Sequence, residues 1–383
     1  MKIGIVGAGH AGMEAALAAR HAGAEVTIFS AEAVPPYFRP RLISVAMGQV
    51  APEAVAMHPA PWYAEQGIGV QVATPVRAIQ VATRSIVTDA GSFSFDALVL
   101  ACGARPRRPT LRGESPATPL FTLWNMADAL AIRNRIRPGA RLVVLGGSCL
   151  GVETALRARE QQLHVTLVEQ MPRLMPMMLG VDAGRCLQQQ MESKGIALRT
   201  GQAVAGVSDL ADGVVCVQLS DGSQLLADLL VICIGALPDV ALAGAAGLPL
   251  ATRGIRTDAC LQAAPGVFVA GDVCAAQGVP ARGAVREANA QGRLAGANAV
   301  ASVSGDTLHP FASVITPLSV RCGGVEVNVA GQVAGDGQVE CRLDDGSAPG
   351  VVRAVVRQAD GSLAGVQMIG TREGFDELVA QIR

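Results

Sequence analysis

Charge is scarce in this chain. Asp, Glu, Lys and Arg make up 16% of its 383 residues and nearly cancel, leaving a formal net charge of -1. So neutral a balance matches neither a nucleic acid nor an anionic membrane surface. Aromatic residues reach only 3%, which excludes a platform for stacking single-stranded bases. Apolar runs of the roughly 18 residues that a membrane helix needs are missing. The most apolar region, 225–250, is broken by Asp228, Pro238 and Asp239. Strand-like residues begin at Ile3, which leaves no space for a charged, apolar and cleavable leader, so a cytoplasmic protein is expected. Closely spaced cysteines are missing too: the nine stand at 102, 149, 186, 216, 233, 260, 274, 322 and 341, with no CxxC or CxxxxC. That scatter argues against a disulfide framework and against a thiolate metal site, and most of these thiols read as small core residues. What the chain does have is apolar side chains, half of all residues. That is enough for two or three cores at about 100–200 residues per domain.

The architecture shows as an internal repeat. Ile3-Gly4-Ile5-Val6 reads as a short buried strand, and Gly7-Ala8-Gly9-His10-Ala11-Gly12 follows at once. A helical stretch from Met13 to His21 closes at Gly23, which suits a positive φ, and Val26 to Phe29 makes a second strand. The pattern returns 139 residues later: Leu142 to Leu145, then Gly146-Gly147-Ser148-Cys149-Leu150-Gly151, a helix from Val152 and a strand from Val165 to Val168. At that offset Gly7 matches Gly146, Gly12 matches Gly151, Glu14 matches Glu153, and Thr27 matches Thr166. One such glycine motif is weak evidence; two in register, each between a strand and a helix, predict two dinucleotide-binding βαβ units. The first glycine makes the tight turn, the second admits a pyrophosphate, and the third allows close helix–strand packing. The helix N-terminus supplies the donors and the positive dipole end.

The two sites differ in detail. Ser148 stands where the middle glycine is expected, and its hydroxyl could reach a phosphate. Glu169 ends the second strand of the second unit, where a carboxylate accepts from the ribose hydroxyls and repels a 2′-phosphate. This favours NADH over NADPH, although Arg173 nearby could soften the preference. At the equivalent position of the first unit stands Ser30, which can still bond a ribose; alternatively Glu32 takes that role.

These residues resemble the flavoprotein reductases with two dinucleotide-binding domains, particularly rubredoxin and ferredoxin reductases and the flavin module of large nitrite reductases. The resemblance covers about residues 1–300 and rests on four more segments. Pro36-Tyr37-Phe38-Arg39-Pro40-Arg41-Leu42 is similar to the segment beside the flavin ring. Residues 95–106, containing Ala101, Cys102, Gly103 and Arg105, are similar to the strand and turn linking the two domains, where the family usually has Thr at the place of Cys102. Residues 227–238, with Gly235, are similar to the returning strand. Gly266 to Asp272 is similar to the second FAD motif, in which Asp272, at the start of a helix, would bond the ribityl chain. The resemblance implies FAD in the first unit, contacted by residues 7–12, Ser30, Glu32, Arg39, Pro40, Val76, 101–103, Arg105, Gly271 and Asp272. It implies NADH in the second, at 146–151, Glu169 and Gly235. The implied fold is α/β. An NAD domain (112–240) is inserted into an FAD domain (1–111 and 241–305), and a small α+β domain follows (306–383). The last has alternating strands at 351–356 and 363–368, turns at Asp344-Asp345-Gly346 and Asp360-Gly361, and a helix from Glu373 to Ile382.

Arg39 and Glu153 are the candidate catalytic side chains. Arg39 either stabilises charge on the flavin or faces solvent. Glu153 either orients the nicotinamide or complements its helix N-terminus, and Glu14, its repeat partner, supports the second reading. The implied activity is transfer of hydride from NADH to FAD and of electrons onward. Disulfide reductases of this superfamily use a cysteine pair after the first unit or a CxxC in the NAD domain, and related oxidases a cysteine near Ser44. No cysteine precedes Cys102, so the acceptor is expected to be external, a small acidic electron-carrier protein similar to rubredoxin or ferredoxin. Arg105, Arg107, Arg108 and Arg112, with Arg39 and Arg41, could steer such a carrier, or could serve phosphates or lie solvated. A flavin-dependent reductase or oxidase of a small molecule, and a non-catalytic assembly or redox-sensing subunit, are the alternatives.

Overall fold

In a computed structural model, which describes residues 1–277, 279, 283–333, 338–344 and 348–382, the described residues form two compact units. One comprises Met1–Arg41, Ala51–Arg105 and Ala236–Val314; the other comprises Leu42–Val50, Pro106–Gly235 and Ile315–Arg383. Each holds one of the two repeats.

In the first unit the apolar runs become the middle of a six-stranded sheet. Its order is Gln262–Ala264, Val267–Val269, Ala97–Leu100, Lys2–Val6, Glu25–Phe29, Ile68–Gln71. All neighbours are parallel except the first pair. Ile3, Ile5, Leu98, Val99 and Leu100 are fully buried, as expected of parallel strands covered on both faces. Helix His10–His21 crosses from the first strand to the second and packs on the long helix Val285–Ser304. That contact depends on missing side chains: a Cβ at Gly292 would overlap the carbonyl of Ala11, and one at Gly296 the carbonyl of Ala15.

The second unit repeats the plan with five parallel strands, in the order Ala197–Thr200, His164–Glu169, Arg141–Leu145, Leu229–Ile232, Leu120–Thr122. It also contains a five-stranded antiparallel sheet from the C-terminal part: Leu318–Cys322, Val325–Gly331, Leu363–Ile369, Val352–Arg357, Val339–Arg342. The fold is therefore the expected α/β arrangement with two nucleotide-type βαβ units. The C-terminal helix is shorter than its sequence suggests, Phe375–Val379. Gly374, with φ +73°, holds a left-handed conformation from which the helix starts. Of the turn expected at Asp344-Asp345-Gly346, Asp345 and Gly346 lie outside the described residues. Among the described residues no helix is long and apolar enough to cross a membrane.

The repeat is visible in the hydrogen bonds. Gly7 N–H donates to Phe29 O at 2.9 Å and Gly146 N–H to Val168 O at 2.7 Å, the same pair displaced by 139 residues. Ala101 N–H donates to Val6 O and Cys233 N–H to Leu145 O. The last glycine of each turn is sterically required: a Cβ on Gly12 would overlap the Gly7 carbonyl, and one on Gly151 the Gly146 carbonyl. Around Gly9 there is open space. Gly12→Ala is therefore expected to lower stability in urea unfolding by about 1–3 kcal/mol, the cost of overpacking. Gly9→Ala should leave the ligand-free protein unchanged within about 0.5 kcal/mol. Equal effects of the two would contradict this account.

Candidate cofactor and nucleotide sites

The first site is a Gly-rich turn aimed at an uncapped helix. Gly7 takes φ +110°, and helix His10–His21 begins three residues before the Met13 expected from its pattern, so the end of the turn is already helical. Its N-cap is Gly9, with no side-chain hydrogen bond, which leaves the first-turn donors for an anion. His10 sits on that first turn with its ring 5.7 Å from Phe38 and its Nε2 buried without a partner. Burial, and then the Arg39 charge, push the imidazole below its ordinary pKa.

Part of the expected set lies at this turn, with Ala101 O against Gly7. Ser30 is buried at the end of the second strand, and its hydroxyl accepts from Glu32 N–H at 3.2 Å. Glu32 in turn holds two partners: Tyr37 donates to Oε2 at 2.7 Å, and Arg39 pairs with Oε1 at 2.8 Å. Arg39 also lies 5.2 Å from the centre of the Tyr37 ring. It is half-buried, and its charge acts on both His10 and Asp272. Pro40 follows it, exposed, in the same 3-10 turn. Ala101 is buried, Gly103 takes φ +71°, and Val76 is half-buried against this unit's core. Arg105 is exposed on the strand Ala104–Pro106.

Asp272 corrects one expectation. It does not begin a helix, because the chain after it is captured as the strand Cys274–Ala276, paired with Ile255–Thr257, and the helix starts only at Val285. Gly271 makes the bend with φ +80°. A residue absent from the sequence reading fixes it: Gln291, 1% exposed, accepts the Gly271 N–H at 2.8 Å and donates to Glu287 at 3.1 Å. No motif marks Gln291; only its position on a buried helix face could have suggested it. Asp272 and Gln291 line one small cleft with Glu287, and burial raises the Asp272 carboxyl above its ordinary pKa despite Arg39. A half-buried carboxyl, an orphaned imidazole nitrogen and an uncapped helix turn suit a dinucleotide with a hydroxylated chain.

The second site is more self-contained. Gly146 takes φ +104°, and helix Cys149–Glu160 starts three residues ahead of the expected Val152. The Ser148 hydroxyl turns inward, donating to Cys233 O at 2.7 Å and accepting the Gly151 N–H at 3.4 Å, so it caps the helix. Cys149 and Leu150 open that helix, and Gly235, φ +91°, follows the strand at Cys233. Glu169 accepts from Gly147 N–H at 2.6 Å and from Met171 N–H at 2.7 Å, leaving further lone pairs for a ribose. Arg173 is engaged elsewhere, donating to Leu179 O and Pro176 O. Glu153 pairs with Arg157 at 2.8 Å, one helical turn along.

Residues 1–292 match the family model described as pyridine nucleotide-disulphide oxidoreductase. The chain belongs to that family. It is 35% identical over 279 residues to the biphenyl dioxygenase system ferredoxin–NAD(+) reductase component of Paraburkholderia xenovorans, covering 71% of this chain and 67% of the relative. It is 34% identical to the terpredoxin reductase of a Pseudomonas species, covering 88% and 83%. A solved structure of a covalent putidaredoxin reductase–putidaredoxin complex aligns with TM-score 0.88 and 25% identity, over 99% of this chain and 93% of that one.

Five thiols of this family member are poorly disposed to disulfide chemistry. Burial pushes Cys102, Cys149, Cys233, Cys274 and Cys322 up to about 12, with nearby carboxylates adding to the effect at Cys102 and Cys149. A thiol that stays protonated is a poor nucleophile.

Two predictions follow from the carboxylates. Asp272 binds its proton more tightly folded than unfolded, so its ionisation destabilises the ligand-free protein as pH rises from 3.8 through the raised folded value. Asp272→Asn should stabilise the ligand-free protein at pH 7, with the gain vanishing below 3.8, while retaining less flavin. Denaturant midpoints across pH measure the first effect and the visible spectrum the second. Glu169→Ser, which installs the residue found at Ser30, should weaken NADH binding roughly tenfold or more and narrow any preference over NADPH; an unchanged ratio of the two dissociation constants would argue against Glu169 as the ribose reader.

Proposed function

We propose that the protein is an FAD-dependent NADH oxidoreductase that delivers electrons to a small electron-carrier protein. The observation that carries this reading is the doubled turn: one chain holds two glycine turns with matching hydrogen bonds, and in the second the Glu169 carboxylate accepts the Gly147 N–H. The relatives named for ferredoxin and terpredoxin reduction support the carrier as acceptor.

We assign FAD to 1–111 and 241–305, NADH to 112–240, and the small α+β domain to 306–383. Bound FAD supplies a redox centre able to take an electron pair and release electrons singly. The protein's share is positioning and electrostatics. Residues 7–12 hold the pyrophosphate, and Asp272, fastened through Gln291 and Gly271, accepts from a ribityl hydroxyl. Arg39, kept in place by Glu32, would supply positive charge to the flavin ring. In the NADH turn, Glu169 reads the ribose. Glu153 is held by Arg157 and, because the helix starts at Cys149, lies in its second turn, too far along to complement the N-terminus as the sequence suggested. Nine scattered thiols suit a reducing compartment, and we assign the protein to the cytoplasm.

Anaerobic NADH should bleach the long-wavelength flavin band of the purified protein, and added [2Fe–2S] ferredoxin or rubredoxin should restore it. A protein without flavin absorbance, or a flavin that NADH leaves oxidised, would refute the proposal. Carrier reduction should slow between about 50 and 300 mM salt as screening shortens the reach of the exposed Arg105, Arg107 and Arg112; a flat profile would remove steering from the account.

A further inference from the structure

The helix Val181–Ser193 lacks a cap of its own. Its N-cap is Gly180, with no side-chain oxygen. In a capping box the third helical residue, Glu or Gln, accepts the N-cap N–H; here that residue is Ala183. The missing acceptor comes from far along the chain. Gln367 Oε1 accepts the Gly180 N–H at 2.6 Å, and Gln367 Nε2 donates to Glu340 Oε2 at 3.4 Å. Gln367 is 1% exposed in a strand, Leu363–Ile369, that is buried along its whole length. A carboxamide in such a place is costly unless its bonds are made. A Cβ at Gly180 would overlap the Glu340 carboxylate, which would have to swing away from the helix end. That carboxylate also lies where the helix dipole favours negative charge.

Hydrogen bonds continue from Gly180 to the nucleotide turn. Met178 and Leu179 donate to Met175 O at 2.8 and 2.9 Å, and Met175 N–H donates to Gly147 O at 2.8 Å. Met175 is held at φ +47°, a conformation that its surroundings must enforce. Gly147 is thus gripped twice, its N–H by Glu169 and its carbonyl by the loop, while a Cβ on it would meet Leu174 at 2.6 Å. The loop 170–180 is fastened at one end by Glu169 and at the other by Gln367. We infer that Gln367 is a positioning residue for NADH: by capping Val181–Ser193 it holds the loop that shapes the Gly147 turn. This rests on the proposed binding of NADH at 146–151.

The test is equilibrium titration of the flavin-loaded protein with NADH under anaerobic conditions. Gln367→Met keeps the length but loses the acceptor, and should raise the NADH Kd roughly three- to tenfold, with flavin content and kcat at saturating NADH unchanged. Gln367→Glu combined with Glu340→Gln keeps the acceptor for Gly180 and exchanges donor and acceptor between the two side chains, and should retain most of the affinity. A purely structural role would lower the unfolding temperature and leave Kd in place, and that result overturns the inference. Hydrogen exchange on the unaltered protein needs no variant to fold. Since coupling is reciprocal, NADH should slow exchange of the Gly180 amide, and an unaffected amide overturns the inference as well. A wild type that binds no NADH would overturn the functional reading and this inference together, whereas a wild type that binds no better than Gln367→Met would overturn the inference alone.

Discussion

Contact between the third glycine of each turn and the carbonyl of the first is the constraint on which both sites depend. Gly12 rests on Gly7 O and Gly151 on Gly146 O, with no space for a methyl group. That closeness brings a helix N-terminus to the end of a central strand, where its unpaired N–H groups converge on one point. Four further candidate contacts are arranged around that point: Ser30 and Glu169 at the ends of the neighbouring strands, and Gly103 and Gly235 after the strands on the other side.

The two turns are alike in backbone and unlike in what surrounds them. The first leaves its helix uncapped and an imidazole nitrogen without a partner, features that suit a tightly held group completing the site. The second satisfies itself, with Ser148 capping the helix and Glu169 engaged by two backbone amides. A site whose polar groups are already paired is suited to a ligand that comes and goes, since little is left exposed when it departs. Each site is also braced by a buried glutamine spanning a glycine N–H and a glutamate: Gln291 with Gly271 and Glu287, Gln367 with Gly180 and Glu340. A carboxamide bonded through both its oxygen and its nitrogen fixes a backbone segment more specifically than apolar packing does.

Low dielectric surroundings give the thiols and the carboxyls different outcomes. Burial keeps the five thiols protonated and therefore unreactive, so the disulfide chemistry in the family's name has no poised nucleophile among them. The same burial raises Asp272, but a carboxyl can accept hydrogen bonds from a ligand that replaces the lost water.

Periodicity, glycine spacing and the offset of 139 residues were enough to determine the two βαβ units, because a strand–turn–helix closed by glycines is dictated locally by sterics. A second offset, 132, was also present, relating Asp96 to Asp228 and Gly103 to Gly235; in the structure both aspartates accept the backbone N–H that opens their unit's first strand, from Lys2 and from Arg141. The start of a helix at Asp272 was misjudged because pairing with Ile255–Thr257, distant in sequence, captured the chain as a strand. The direction of the Ser148 hydroxyl, the engagement of Arg173 and the bracing roles of Gln291 and Gln367 were likewise decided only by tertiary structure. A hydrogen bond between residues 20 to 187 positions apart leaves no periodic trace in the chain.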